Sequence, residues 1–124
     1  MVLNIEKVGT TIKADMNGIV LHFDPETLLQ PPTQLIALKY QWGLVKSEIE
    51  RIKRYLDFEV KKTKAETIKS LMSSGMSKTA ASEEVVLDSA YQNKVQQLQI
   101  YEYWSDLVYQ VLSALDGAIN ARGE

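Results

Sequence analysis

The chain carries a helical pattern that changes character partway along its length. Apolar residues recur at intervals of three and four positions, at Leu35, Leu38, Trp42, Val45, Ile49, Ile52 and Leu56. This is the heptad spacing of a helix that packs against a partner along one seam. The next seam positions are Glu59, Thr63 and Glu66, so the seam ends after Leu56. The pattern predicts a long helix whose first part packs and whose second part faces water.

A second long helical pattern runs from about Ser77 or Ser82 to Ala121 and carries two apolar stripes. One stripe keeps heptad spacing, with Leu87, Tyr91, Leu98, Tyr101, Val108, Leu112, Leu115 and Ile119. The other lies beside it, with Ile100, Trp104, Leu107, Val111, Ala114 and Ala118. Together the stripes are wider than one partner helix requires. Either the hairpin described next or the first helix covers the extra width, or a subunit interface forms from Trp104, Leu107, Val111, Leu112, Leu115 and Ile119.

The first 23 residues show the alternation of β-strands. Ile12, Ala14 and Met16 alternate with polar residues, and Asn17-Gly18 separates them from a second run, 19–23. Because Asn and Gly both tolerate positive φ, this pair between two such runs indicates a tight β-hairpin. A lone hairpin is marginally stable in water, so it must pack on the helices or pair with a strand of a neighbouring subunit.

Capping residues place the other boundaries. Asp24, Thr33 and Ser82 each precede a helical run as side-chain caps. The sequence thus predicts a β-hairpin over 1–23, a short helix over 24–31, a long basic helix over 33–72 and a long acidic, apolar helix over 82–121. The expected fold class is mainly α, with the two long helices antiparallel in a coiled-coil-like hairpin and one domain over 1–124. Two helices alone bury little surface, so we expect a homo-oligomer.

Positive charge is concentrated in the first long helix. The whole chain has a formal net charge of −2. Residues 44–70 hold eight basic and five acidic residues, whereas residues 78–124 hold three basic and seven acidic ones. A basic surface of this kind favours a polyanion. The alternative is a solvated helix face with ion pairs four residues apart, Glu50 with Arg54 and Asp57 with Lys61.

The sequence lacks the motifs of catalysis and of metal binding. It has no cysteine, which excludes disulfide and thiolate chemistry and is compatible with the cytoplasmic location that we expect. It has no glycine-rich phosphate loop, and its one histidine, His22, has no Ser, Cys or metal-ligating partner nearby. No window approaches the roughly 18 apolar residues that span a bilayer. We expect no enzyme activity, no metal, no cofactor and no membrane partner.

Residues 68–81 have the spacing of the first half of a helix-turn-helix, with Ile68, Leu71, Gly75 and Ala81 in register. A second turn and a basic reading helix should follow in a duplex-DNA reader. Glu83 and Glu84 follow instead, at the start of what reads as an unbroken helical run. A duplex-DNA-binding regulator therefore stays as an alternative function.

The aromatic residues divide into two groups. Tyr55 and Phe58 lie among the basic residues, where they either stack on nucleic-acid bases or pack in a core or interface. Trp42 and Trp104 lie on the apolar stripes, so we expect them in the core.

Several anchors along residues 20–123 together resemble UvsY, the recombination mediator of T-even-like phages. They are Asp24 followed by Leu28 and Trp42, the Lys-rich helix ending at Ser74-Gly75, and Tyr103-Trp104 leading to Ala114-Leu115-Asp116 and Arg122-Gly123. The resemblance implies a non-enzymatic protein that forms ring-like homo-oligomers and binds single-stranded DNA. It also implies contacts with the phage recombinase and with the single-strand-binding protein, which recombinase filaments replace.

The resemblance places the DNA contacts on the middle helix, just before the Ser-Gly loop. The corresponding segment here contains Lys61, Lys62 and Lys64, with Lys69 further on and Arg54 before it. The family's Lys-x-Arg pattern is not preserved, so the assignment is to the segment. The remaining alternative is a structural or virion-assembly protein that forms helical oligomers without binding DNA.

Overall fold

In the computed structural model, the chain is mainly helical and begins with a three-stranded antiparallel sheet. The structure describes residues 2–122, so Met1, Glu124 and the Gly123 of the Arg122-Gly123 anchor lie outside the described residues. The chain divides into two compact units. Unit 1 comprises Met1–Glu50 with Tyr103–Glu124, and unit 2 comprises Arg51–Glu102.

The sheet follows chain order, with β1 at Leu3–Val8, β2 at Thr11–Met16 and β3 at Ile19–Phe23. Asn17 and Gly18, between β2 and β3, have φ values of 56° and 85°. Positive φ at both positions is typical of the type I′ turn that Asn-Gly favours. The predicted hairpin is confirmed as β2 and β3, and β1 is a further strand, joined to β2 through Gly9 at φ 61°.

One face of the sheet is apolar and the other is polar. Ile5 pairs with Ala14, and Ala14 pairs with Leu21, so three buried side chains stand side by side across the strands. On the opposite face Glu6 pairs with Lys13, and the Glu6 Oε1 atom lies 3.9 Å from the Lys13 Nζ atom. Because side chains alternate along a strand, this arrangement directs the apolar set toward the core.

The remaining chain forms three helices, α1 at Pro32–Ser73, α2 at Lys78–Glu84 and α3 at Ser89–Arg122, with 3₁₀ turns at Pro25–Leu29 and Val85–Leu87. Asp24 caps the first turn as predicted, because its Oδ1 accepts from the Thr27 N–H at 3.0 Å. That segment is 3₁₀ rather than α-helical. The cap predicted at Thr33 is wrong, because α1 already begins at Pro32. In the first turn of a helix the backbone N–H has no acceptor within the helix, so proline, which lacks this N–H, loses no hydrogen bond there.

Helix α1 ends in a glycine-dependent turn. Gly75 has a φ of 107°, which a side chain would strain. The N–H groups of Met76 and Gly75 donate to the carbonyls of Leu71 and Met72, at 3.2 and 3.0 Å. These are the two crossed bonds of a Schellman motif. The predicted helix end at Ser73-Ser74-Gly75 is therefore confirmed.

The second helical run is broken, contrary to the prediction of one helix over 82–121. A 3₁₀ turn over Val85–Leu87 separates α2 from α3. Asp88 is extended and caps α3, because its Oδ2 accepts from the Tyr91 N–H at 2.9 Å. Ser82 is no cap, since its hydroxyl donates to the Lys78 carbonyl inside α2, and Ser77 caps α2 instead.

Unit 1 holds most of the buried core. From the sheet the buried apolar residues are Leu3, Ile5, Ile12, Ala14, Leu21 and Phe23; from α1 they are Leu35, Trp42, Val45 and Ile49; from α3 they are Leu107, Val108, Val111 and Leu115. The seam residues of α1 in this unit are thus buried as predicted, with Leu38 half-buried. The Trp42 indole N–H has no acceptor among the described residues. Such a buried donor costs about 1–3 kcal/mol.

Two polar contacts define how α1 and α3 pair within unit 1. Lys39 forms an ion pair with Asp116, and the Ser105 hydroxyl donates to Glu50 Oε1 at 2.8 Å. Lys39 and Glu50 are eleven residues apart on α1, and so are Ser105 and Asp116 on α3, in the opposite order. The two helices therefore run antiparallel in this unit, as the sequence predicted.

The burial of α3 corrects the predicted subunit interface. Leu107, Val111 and Leu115 are buried inside the single chain, and Trp104, Leu112 and Ile119 are half-buried. The first three are at most 2% exposed within unit 1, so they have almost no surface left for a second subunit. Of the two explanations for the wide apolar face, coverage within the chain therefore holds for these three residues.

Unit 2 has a small core by comparison. Its buried apolar residues are Leu56, Ala81 and Val85. Beyond Leu56, the seam positions Glu59 and Thr63 are half-buried, and Glu66 is exposed. The predicted end of the seam is therefore confirmed, and most of the surface of α1 in this unit faces solvent.

The cap at the start of α3 generates a stability prediction. We expect Asp88→Ala to lower the free energy of unfolding by about 1 kcal/mol, because the Tyr91 N–H loses its acceptor. Asp88→Asn keeps a capping oxygen and serves as the control. Its free energy of unfolding, measured by urea denaturation, should fall by only a few tenths of a kcal/mol. Equal stability of Asp88→Ala and the wild type would show that the cap contributes nothing.

Candidate nucleic-acid interface

The part of α1 in unit 2 carries the chain's densest positive charge. Residues 51–73 contain seven basic and three acidic residues, a formal surplus of four. Residues 78–102 of the same unit contain two basic and four acidic ones. The positive surplus of unit 2 therefore lies on its part of α1, which we call the basic segment, residues 51–73.

All five predicted DNA-contacting residues are exposed on this segment, namely Arg54, Lys61, Lys62, Lys64 and Lys69. Lys61 is paired, since its Nζ atom lies 2.9 Å from Asp57 Oδ2, as the sequence predicted. Within residues 2–122, the other four have no carboxylate at ion-pair distance. Their charge is therefore available to an external anion.

The expected pair between Glu50 and Arg54 does not form among the described residues. Glu50 turns instead toward α3, where it accepts the hydrogen bond from Ser105. The Ser105 hydroxyl inside unit 1 is therefore a partner of Glu50 that the i,i+4 spacing did not predict. As a consequence, Arg54 contributes a full positive charge to the surface of the basic segment.

Four of the five basic side chains follow two neighbouring lines on the helix surface. Arg54 and Lys61 are seven residues apart, as are Lys62 and Lys69, and seven residues are close to two full turns. The two lines lie about 80° apart on the side of α1 away from the buried Leu56. Lys64 lies further round, closer to the seam. The ridge from Arg54 to Lys69 is about 22 Å long at 1.5 Å per residue.

The structure adds Lys78 to this set, which the sequence reasoning missed. Lys69 and Lys78 line the same shallow concavity of about 580 Å³, together with Ala65, Ile68, Met72 and Ser73. The turn at Gly75 reverses the chain, and this brings the start of α2 beside the end of α1. The signal in the sequence was Gly75-Met76-Ser77, a turn followed by a helix cap just before a lysine.

Two aromatic rings are exposed within the basic segment. Tyr55 and Phe58 are 58% and 62% exposed. They lie three residues apart, so their side chains are neighbours on one face of the helix. The structure therefore places both rings outside the core of the single chain, unlike Trp42, which is fully buried.

Unit 1 carries an apolar groove of about 600 Å³ between its sheet and α1. The sheet contributes Met16, Ile19 and Leu21, and α1 contributes Ile36, Ala37, Tyr40, Gln41, Leu44 and Val45. Ile36, Tyr40 and Leu44 are exposed. Since Gln41 is the one residue with an amide among these nine, the groove offers little to a polar ligand.

No metal-binding cluster accompanies these surfaces in the described residues. His22 lies exposed on the polar face of the sheet, opposite Lys13 in the strand register. Within residues 2–122, no group of three or more His, Cys, Asp or Glu side chains is placed to hold a metal ion. Across the same residues, no helix is both long enough and apolar enough to traverse a bilayer.

Comparisons with protein-family models, with curated proteins and with solved structures gave no significant match. The likeness to UvsY therefore rests on the sequence anchors alone. The anchor at Ser74-Gly75 falls at the Schellman turn that ends α1, and Trp42 and Leu115 lie in the core of unit 1.

Removing the negative charge of Asp57, the carboxylate paired with Lys61, should strengthen anion binding by the basic segment. We expect Asp57→Asn to release Lys61, to raise the local charge by one and to change the free energy of unfolding by less than about 0.5 kcal/mol. Elution from a heparin column should then need more salt than for the wild type. Asp106→Asn makes the same change in net charge on α3, in unit 1, and equal shifts for both variants would contradict a localised site.

Proposed function

We propose that this protein is a non-enzymatic recombination mediator of the UvsY type that binds single-stranded DNA through the basic segment of α1. The observation that carries the proposal is the exposure of Arg54, Lys62, Lys64 and Lys69 without carboxylate partners in the described chain. Unpaired cations on a rigid helix attract phosphates and release the counterions that surround the strand.

Self-association is part of the proposal, because a single basic segment offers few phosphate contacts. Copies of the segment in a ring would engage one strand together, and avidity then multiplies the affinity without any new contact. Since Leu107, Val111 and Leu115 are buried within the chain, we assign the contact with a second copy to exposed apolar residues of unit 1. Ile36, Tyr40 and Leu44 on α1 offer such a surface. The coiled-coil-like pairing of α1 with α3 provides the scaffold.

The partners follow from the same proposal. A mediator that holds a bare strand by its phosphates leaves other surfaces for the phage recombinase and the single-strand-binding protein. The acidic surplus of α3, with three acidic and two basic residues over 89–122, would keep that helix off the strand, since like charges repel. The proposed site of action is the host cytoplasm.

A second candidate is an assembly protein that forms helical oligomers and ignores DNA. The exposed apolar groove of unit 1 favours this candidate, because such a groove serves self-association whatever the oligomer does. The other alternative is a duplex-DNA regulator with a helix-turn-helix. The 3₁₀ turn at Val85–Leu87 stands where the second turn of that motif would be, and the sequence did not predict it. The helix that follows this turn is the start of α3, however, and residues 89–102 hold one basic residue, Lys94, and one acidic residue, Glu102, instead of the basic surface that a duplex reader needs.

The lysine cluster provides the test of the proposed site. We expect the triple variant Lys61→Ala, Lys62→Ala, Lys64→Ala to bind a single-stranded oligonucleotide roughly tenfold more weakly, at about 0.5 kcal/mol for each lost contact. The slope of log affinity against log salt should become shallower by about 2, since each contact contributes about 0.7. Fluorescence anisotropy over a salt series measures both quantities.

A matched control separates the site from net charge. The control is a second triple variant, Lys7→Ala, Lys46→Ala, Lys94→Ala, which removes an equal number of positive charges from dispersed positions. We expect it to bind the oligonucleotide almost as tightly as the wild type. Circular dichroism checks that both variants keep their helicity. Equal weakening by the two triple variants would remove the site assignment.

A further inference from the structure

The aromatic residues of the basic segment lie where cations surround them. Phe58 follows Arg54 by four residues and precedes Lys62 by four, so both cations neighbour its ring along the helix surface. Tyr55 stands three residues before Phe58 and four after Arg51. All five side chains are exposed. These rings and cations lie within about three turns of α1, where the basic residues outnumber the two acidic ones, Asp57 and Glu59.

Tyr55 and Phe58 form an exposed apolar surface within the basic segment. Each leaves more than half of its surface in water, and their three-residue spacing makes them neighbours on the helix. Adjacent exposed apolar groups rimmed by charged residues are typical of an interaction site. The surrounding positive charge selects the class of partner, because it favours a polyanion that also presents flat apolar faces.

We propose that Tyr55 and Phe58 form a base-stacking platform and that they select single strands. This inference rests on the proposed function and names the residues that read the bases, as distinct from those that hold phosphates. A single strand exposes the faces of its bases, whereas a duplex buries them between neighbouring pairs. Aromatic side chains stack on any base, so the platform is tolerant of sequence. The cations hold the backbone while the rings take the bases.

An abasic strand separates the role of the rings from that of the cations, because it carries the same phosphates without the bases. Wild-type protein should prefer a normal single-stranded oligonucleotide to an abasic strand of equal length by about fivefold or more for each stacked ring. In the double variant Tyr55→Leu, Phe58→Leu, that preference should fall close to one. Its affinity for the abasic strand should stay that of the wild type. Leucine is a good helix former, and circular dichroism checks the fold.

Two controls sharpen the result. The exchange Tyr55→Phe, Phe58→Tyr keeps both rings and should keep the preference for bases. Tyr109→Leu removes a ring that is equally exposed, at 63%, on α3 in unit 1, and it should leave the preference unchanged. Ultraviolet cross-linking of the wild-type complex, read by mass spectrometry, needs no variant. It should attach nucleotide to the peptide that contains Tyr55 and Phe58.

The failures are distinguishable. If the leucine variant keeps the wild-type preference for bases, the platform is wrong while the phosphate site stands. If the variant loses affinity equally for both strands and its molar mass falls, the rings form a contact between copies and the platform is again wrong. If the wild type binds neither strand in dilute buffer, the proposed function itself fails, and the stacking inference fails with it.

Discussion

Burial of one shared core in unit 1 is the constraint on which the rest of the structure depends. The apolar face of the sheet, the first part of the α1 seam and the residues Leu107, Val108, Val111 and Leu115 of α3 are buried there, around Trp42 and Ile49. Hydrophobic burial is not directional, so polar contacts must set the register of the helices. Two contacts set this register, the Lys39–Asp116 ion pair and the Ser105–Glu50 hydrogen bond, which lie eleven residues apart on each helix.

This concentration of the core in unit 1 explains the surface of unit 2. Because the apolar seam of α1 ends at Leu56, the rest of the helix has few apolar neighbours and remains largely exposed. Its stability depends on local features, namely the Schellman turn at Gly75 and the caps at Ser77 and Asp88. A helix exposed over several turns can carry cations on two lines without burying any of them. The same property makes it a suitable surface for an extended polyanion.

The sequence predicted the features that depend on local chemistry. The Asn17-Gly18 turn, the cap at Asp24, the seam of α1 and the Asp57–Lys61 pair each follow from a few neighbouring residues. The break at Asp88 was missed because long apolar periodicity outweighed a single capping carboxylate. The sequence did not decide whether Leu107, Val111 and Leu115 pack within the chain or against a second copy, because periodicity shows that a face is apolar but not what covers it. The placement of Lys78 beside Lys69 needed the turn geometry.

We propose that repeated copies of one exposed basic helix together hold a bare nucleic-acid strand. Molar mass in solution, measured by light scattering with and without a single-stranded oligonucleotide, tests this proposal most directly. We expect a mass that is a multiple of the 14.0 kDa chain and that increases when the strand is added. A protein that stays at 14.0 kDa, with no change on adding the strand in dilute buffer, would contradict it.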